Sequence, residues 1–220
     1  MTVLGIALTM PMLAQDKHRL NDASTVLKEV LNNSGDIPQA IWDKAVCIVV
    51  YPGVKKIGAG VGVTYGRGVL TCRGGLQAGG AWSAPAMYTL DAGSVGPQFG
   101  GSSTDYVIFV MTETAADKVL SGKLKLAADA GAYLGSSGAT TQGLNDASLG
   151  KDVLIYARPK GGVFAGASLG DASMTTDQKA NQQLYGRPIT AAQIVRDGTL
   201  SVPTAAQSFM VALPQSNTSN

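Results

Sequence analysis

The chain has 220 residues, of which 45% are hydrophobic, 15% charged and 6% aromatic. Such a chain can bury a full core as one compact domain, and its composition is not that of a disordered segment. A formal net charge of +2, with no basic stripe interleaved with aromatics, argues against a nucleic-acid binder, although a local basic patch can still meet an anionic surface.

In chain order, Met1–Gln15 has the form of the apolar core of a secretory signal ending near Ala14, without a basic n-region. It is too short, and too interrupted by Pro11, to span a membrane. The alternative is an ordered apolar segment packed on the domain. The domain is therefore expected over 16–213, with 1–15 a signal remnant and 214–220 a polar, frayed tail.

Asp16–Asn33 places Leu20, Ala23, Leu27, Val30 and Leu31 at helical spacing, stopped by Asn33 and Gly35. An amphipathic helix of this kind covers a sheet more often than a membrane surface. Asp36-Ile37-Pro38-Gln39 opens a short helix with Pro38 in its first turn, running to Lys44. Ala45–Tyr51 is a buried strand by composition, and Pro52-Gly53 turns the chain into the next one.

That next strand, Lys55–Leu70, alternates Gly58, Gly60 and Gly62 with Ile57, Ala59, Val61 and Val63. A period of two means extended chain with one aliphatic face and one nearly bare face, where something approaches the backbone closely. Tyr65-Gly66-Arg67-Gly68 has the composition of a tight hairpin. A glycine-rich loop, 74–80, leads to strands within Ala81–Leu90 and Ser94–Met111, with the small-residue stretch 93–101 between them.

Thr114-Ala115-Ala116-Asp117 has capping-box form and starts a helix ending near Gly122. Residues 127–150 show little periodicity. Val153–Tyr156 is a strand, Arg158–Gly161 a turn, and Gly162–Gly170 a second glycine-faced strand with Gly162, Gly166 and Gly170 on one side. Further capping boxes at Thr175–Gln178 and Thr190–Gln193 open helices closing at Gly186 and Gly198. Many hairpin-linked strands with helices gathered at the ends imply an α+β single domain. Its sheet should be largely antiparallel, twisted or barrel-like, with glycine-rich strands and several short helices covering it.

Chemistry-bearing motifs are few. Gly166-Ala167-Ser168-Leu169-Gly170 spells a nucleophile elbow, but the single histidine, His18, lies upstream, so a Ser-His-Asp relay in hydrolase order cannot be built. A Ser168 hydrolase is therefore a remote reading, and no catalytic residue is assigned. Gly60, Gly62 and Gly66 lack both the spacing and the following helix of a dinucleotide cradle. Cys47 and Cys72 have no metal-ligand spacing, so no metal or cofactor is expected. Buried free thiols are the expected state, a disulfide requiring the two strands to be neighbours in an oxidising compartment. The remaining candidates are Lys55, Lys56, Arg67, Arg73, Arg158 and Lys160, as solvated loop charges or as a cluster meeting an anionic head group.

Several motifs in sequence order resemble those of the SYLF domain family. They are Ile37-Pro38, the strand Ala45–Tyr51, Pro52–Gly58, Gly66–Leu70, Trp82-Ser83-Ala84-Pro85, Gly96–Gly100, Gly162–Leu169, and Asn181 through Tyr185-Gly186. The resemblance spans roughly 20–195 and implies non-enzymatic binding of acidic lipids, such as phosphoinositides or phosphatidic acid. Yeast members are described as actin-binding. It also implies a membrane-contacting N-terminal amphipathic segment, for which Asp16–Asn33 is the nearest match.

Two segments depart from the pattern. Gly135–Ala139 replaces a Gly-Pro-x-Gly-Arg run, and Ile155–Arg158 replaces Ser-Tyr-Ser-Arg. Bacterial members often carry a lipidated cysteine, absent here, so soluble export to the periplasm or outside is expected. The expected partner is an anionic lipid or membrane surface, with a protein partner as the alternative.

Overall fold

A computed structural model describes residues 10–32, 37–76, 78–126, 130–135, 151–162, 169, 172–197 and 200–215. In chain order its elements are α1 (Met10–Asn32), α2 (Gln39–Lys44), β1 (Cys47–Cys72), β2 (Ala86–Val110), α3 (Glu113–Leu120) and β3 (Ala130–Gly135). They continue with β4 (Val153–Gly162), β5 (Ser173–Thr176), α4 (Gln178–Tyr185), α5 (Ala191–Arg196) and α6 (Gln207–Ala212). The expected α+β single domain is what forms. Its five-stranded sheet runs β1-β2-β4-β3, with β5 also on β2, and no described ladder closes it into a barrel.

β2 is the spine. One edge pairs with β1 along nearly its whole length, from Val110 opposite Cys47 to Ala86 opposite Leu70. The other edge is shared by β4 at residues 102–110 and β5 at 88–91. These pairings are antiparallel, whereas β3 runs parallel to β4. Successive side chains of a strand point to opposite faces, and here both faces are buried. Ile48, Val50, Met87, Val107, Phe109 and Leu154 pack under α1, α2 and α6. Their neighbours Cys47, Val49, Tyr51, Tyr88, Ile108 and Ile155 form the other core with α3 and α5.

β1 is unusual. Fully extended, its 26 residues would span roughly 85 Å at about 3.3 Å per residue. Yet the Cα atoms of Cys47 and Cys72 are 3.9 Å apart and joined by a disulfide. The strand therefore doubles back on itself while staying paired to β2, bending where the register shifts between Tyr51 and Val54 and between Ala59 and Val61.

Glycine makes the return possible. A Cβ on Gly66 would lie 2.7 Å from Val54 Cγ2, and one on Gly68 would lie 2.4 Å from the Tyr51 ring and 2.7 Å from the Val50 carbonyl. The first half of the strand occupies the space that side chains on the second half would need.

The expected breaks inside this ribbon are corrected accordingly. Tyr65–Gly68 is not a hairpin but continuous strand. Neither Gly66 nor Gly68 takes a positive φ, and both are bare to seat Val54 and Tyr51. Pro52-Gly53 is a bulge within β1, with Gly53 at φ +54°. Arg158–Gly161 is likewise strand, since β4 runs on to Gly162 opposite Ser102. The favoured free-thiol state of Cys47 and Cys72 is replaced by the disulfide, because the doubling back brings the two ends of one strand together. Gly166, Gly170 and Ser168, with most of the expected second glycine strand, lie outside the described residues.

Helix boundaries follow their caps. Thr190 forms the expected capping box with Gln193. Thr112 caps α3 and Asp177 caps α4, each two residues away from the expected position. Two of the family-like motifs act as structural ties. Asn181 is fully buried and hydrogen-bonds both backbone groups of Met87, accepting at 2.7 Å and donating at 3.2 Å. The Tyr185 hydroxyl donates to the Pro85 carbonyl at 2.7 Å.

Two stability measurements test this account. Gly68→Ala should cost about 1–3 kcal/mol in urea unfolding by overpacking, whereas Gly93→Ala, with nothing within 4 Å of the new Cβ, should stay within about 0.5 kcal/mol. Opening the disulfide, whose cysteines are 25 residues apart, should remove about 3.5 kcal/mol by chain-entropy reasoning. Urea midpoints with and without reductant, and for Cys47→Ala/Cys72→Ala, would show it.

Candidate functional site

At the bend of β1 the alternation is inverted relative to a core strand. Gly58, Gly62, Gly66 and Gly68 are buried, while Ile57, Val61, Val63 and Tyr65 point outward. Their exposures are 66%, 62%, 58% and 45%. Lys55 and Arg67 continue the same face at its two ends. The result is an apolar arch with a cation at each foot, and Lys55 and Arg67 line one cavity despite their separation along the chain.

That cavity opens between β1 and the N-terminal half of α1, which contributes His18, Arg19 and Asp22. Behind it lies a charge quartet in which Asp16 and Arg19 are buried and Arg67 and Asp177 half-buried. Arg19 Nη2 is 2.8 Å from Asp177 and 3.4 Å from Asp16, and Arg67 Nη2 is 3.6 Å from each carboxylate. The quartet joins α1, β1 and the cap of α4. Burial pushes the Asp16 carboxyl above its ordinary 3.8, with Arg19 and Arg67 only partly opposing. Burial acts the same way on Asp177, but the Arg19 hydrogen bond and the Ala180 N–H outweigh it and hold that carboxyl below 3.8.

The six cations expected at a head-group site divide. Lys55 is exposed, its Nζ 3.0 Å from Ser103 Oγ, and it meets Arg67 at the cavity. Lys56 lies beside Lys55 on the opposite face of β1. Arg158 bonds Asp105 at 2.7 Å and also pairs with Glu29 of α1, while Lys160 sits 3.0 Å from the same Asp105. Arg73 stands apart. It is 1% exposed, donates to the carbonyls of Ala45, Gly80 and Trp42, and stacks 4.0 Å over the Trp82 ring. Its guanidinium is committed to holding the β1–β2 connection in place.

Of the glycine-face residues, Gly58 and Gly62 are buried in β1 opposite Gly100 and Ser94. Gly60 lies within the same strand, and Gly162 ends β4. The sequence reading missed Asp16, His18, Arg19 and Asp177 as site residues. One signal was present: Asp16 falls in step with Leu20, Ala23 and Leu27, so a carboxylate occupies the buried stripe of α1. Among the described residues there is no group of three potential metal ligands.

A model of the family described as Ysc84, Las17-binding protein actin regulator, matches residues 91–216. The chain belongs to the Ysc84 (SYLF) family. It is also similar to the SH3 domain-containing protein PJ696.02 of Schizosaccharomyces pombe, at 28% identity over 182 residues, which is 81% of this chain and 41% of that protein. This SYLF chain thus spans less than half the length of that relative.

The two carboxylates of the quartet should respond to pH in opposite senses. Asp177 is depressed, so its stabilisation is present above 3.8 and lost as pH falls through its folded pKa. Asp177→Asn keeps the capping oxygen; it should lower the urea midpoint at neutral pH, with the gap to wild type closing below pH 3.8. Asp16 is raised, so ionising it works against the fold, and Asp16→Asn should gain on the wild type as pH climbs above 3.8.

Proposed function

We propose that this SYLF domain is a non-enzymatic module that binds the surface of an anionic membrane through the arch of β1. The observation that carries the reading is the exposed row Ile57, Val61, Val63 and Tyr65 with Lys55 and Arg67 at its feet. Side chains exposed at the turn of a ribbon and backed by bare glycine are not used by the core. An apolar tip with a cation at each foot matches the acyl boundary below an anionic head-group layer. Among the described residues no helix is long and apolar enough to cross a membrane, so the contact proposed is superficial insertion.

The Cys47–Cys72 disulfide supports export to an oxidising compartment, periplasmic or extracellular. The single histidine, His18, is exposed at the cavity rim. A second reading has a protein occupy the arch, favoured by the description of the family as Las17-binding actin regulators.

Vesicle flotation decides between them. Binding should rise with the fraction of acidic lipid and fall with salt. Replacing Ile57, Val61 or Val63 by Ser should weaken it about tenfold per site, by loss of apolar burial. Lys55→Gln, at a foot of the row, should weaken it about fivefold on acidic vesicles and leave neutral ones unaffected. Equal flotation with neutral and acidic vesicles, or full binding by the triple Ser variant, would remove the membrane reading. Retention of a protein partner by the wild type but not by the triple variant, without vesicle binding, would install the second.

A further inference from the structure

Cys47 and Cys72 are fully buried, so no thiol in solution reaches their disulfide while the structure is closed. What closes over it is built differently from the rest of the sheet. We propose that Arg73 and the turn Gly74–Leu76 are a cover that opens while the sheet stays folded, and that its opening lets a dithiol reduce Cys47–Cys72. The inference stands apart from the membrane reading.

The argument starts from how each cysteine is held. Cys47 is paired inside the ladder, opposite Val110. Cys72 lies past the last β1–β2 pair, Leu70 with Ala86. Its backbone is held instead by Ser83, whose Oγ accepts from the Cys72 N–H at 3.1 Å and whose N–H donates to the Cys72 carbonyl at 2.7 Å. The next residue, Arg73, ties back to the Val46 carbonyl through its own N–H. A segment fastened by a few bonds at the end of a ladder opens at lower free energy than the ladder itself.

Two features work against the closed cover. Leu76 is 3% exposed and belongs to the same core as both cysteines. Yet it is the only described non-glycine residue with a positive φ, +55°. A leucine takes that conformation only where its surroundings impose it. Gly75 and Gly79, at φ +71° and +84° with nothing within 4 Å of an added Cβ, flank it as hinges. Arg73 is 1% exposed, and its described hydrogen-bond acceptors are all carbonyls, those of Ala45, Gly80 and Trp42. Neutral acceptors offset only part of the desolvation of a guanidinium. Opening returns the cation to water and relaxes Leu76, so both features favour the open form.

In the exchange, one thiolate of the dithiol attacks a sulfur of the bond and the other cysteine leaves as a thiolate. The second thiol of the reductant then displaces the first cysteine. The reductant becomes a disulfide as the protein takes up two electrons and two protons. Reduction unfastens the ends of β1, while the contacts at Gly66 and Gly68 keep the strand doubled.

Reduction by dithiothreitol, followed by mass after alkylation, tests the cover beside urea unfolding of the same protein. Below the unfolding transition the wild-type rate should change by less than about twofold per molar urea, because a local opening exposes little surface. Reduction through global unfolding would raise it about tenfold or more per molar. Leu76→Ala empties the plug and keeps the left-handed turn; Arg73→Lys keeps the charge and loses the fork. Each should speed reduction about tenfold. Ile155→Val, in the same core but on β4, should lower the urea midpoint and leave the rate within about twofold.

A wild-type rate that climbs with urea as unfolding does would overturn the cover. So would an Ile155→Val rate that rises in step with its lost stability, or unchanged rates in both cover variants. If the cover variants fail to fold, the wild-type urea slope and Ile155→Val still decide.

Discussion

The fold turns on one steric fact, that two residues of β1 have no side chains where the strand's own first half must lie. Val54 and Tyr51 fill the places that Cβ atoms on Gly66 and Gly68 would take, and the disulfide fastens the two ends of the strand. Without that contact the β1–β2 ribbon would run on as a long two-stranded arm, a form marginal in water. With it the ribbon folds over one core and offers its outer face to a second. The exposed row at the bend is a consequence of the same geometry. Once the bare face turns inward, the aliphatic face at the bend has no layer left to cover it.

That consequence separates fold from function. Polar side chains at 57, 61 and 63 would satisfy the bend equally well, because nothing described packs on them. Large apolar side chains there are unused by the core, which is why the proposed contact is placed on them. The charges tell a similar story from the opposite side. Burying Asp16 and Arg19 beside the half-buried Asp177 is weak evidence for stability, since desolvation offsets most of the attraction. What the quartet does achieve is position. It ties the N-terminal half of α1 and the cap of α4 to Arg67, fixing the helix over the foot of the arch.

Much of this was legible in the residues. The buried stripe of α1 follows the spacing of Leu20, Ala23, Leu27 and Val30, and the capping box at Thr190 is local chemistry that nothing distant overrides. The glycine alternation led to the expectation of a close approach at 58–62, whereas the close approaches described fall at Gly66 and Gly68, in the stretch expected to be a turn. Sequence could not announce their partners, because Tyr51 and Val54 meet Gly68 and Gly66 only after a reversal that no turn sequence marks. For the same reason Tyr65–Gly68 looked like a hairpin, its glycines being explained by packing and not by positive φ. The disulfide was hidden behind the same reversal. Among the cations, sequence could group Lys55 with Arg67 but could not see that Arg73 faces three carbonyls.

The size of the arch bears on what kind of body meets it. A stable protein interface engages about 800 Å² and some 20–30 residues on each side. Four apolar side chains and two neighbouring cations are a fraction of that, so a protein partner would have to reach well beyond the arch onto surfaces where the described residues present mostly polar groups. A bilayer makes no such demand. It needs neither shape complementarity nor a wide patch, only apolar groups at one depth and cations at the next. Lys55 and Arg67 stand in that order relative to Ile57, Val61 and Val63 because they share one face of one bent strand. A slip of one residue in β1 would turn the row inward and the glycines out. The strand register that builds the core is therefore also what holds the apolar and cationic groups at their separate depths.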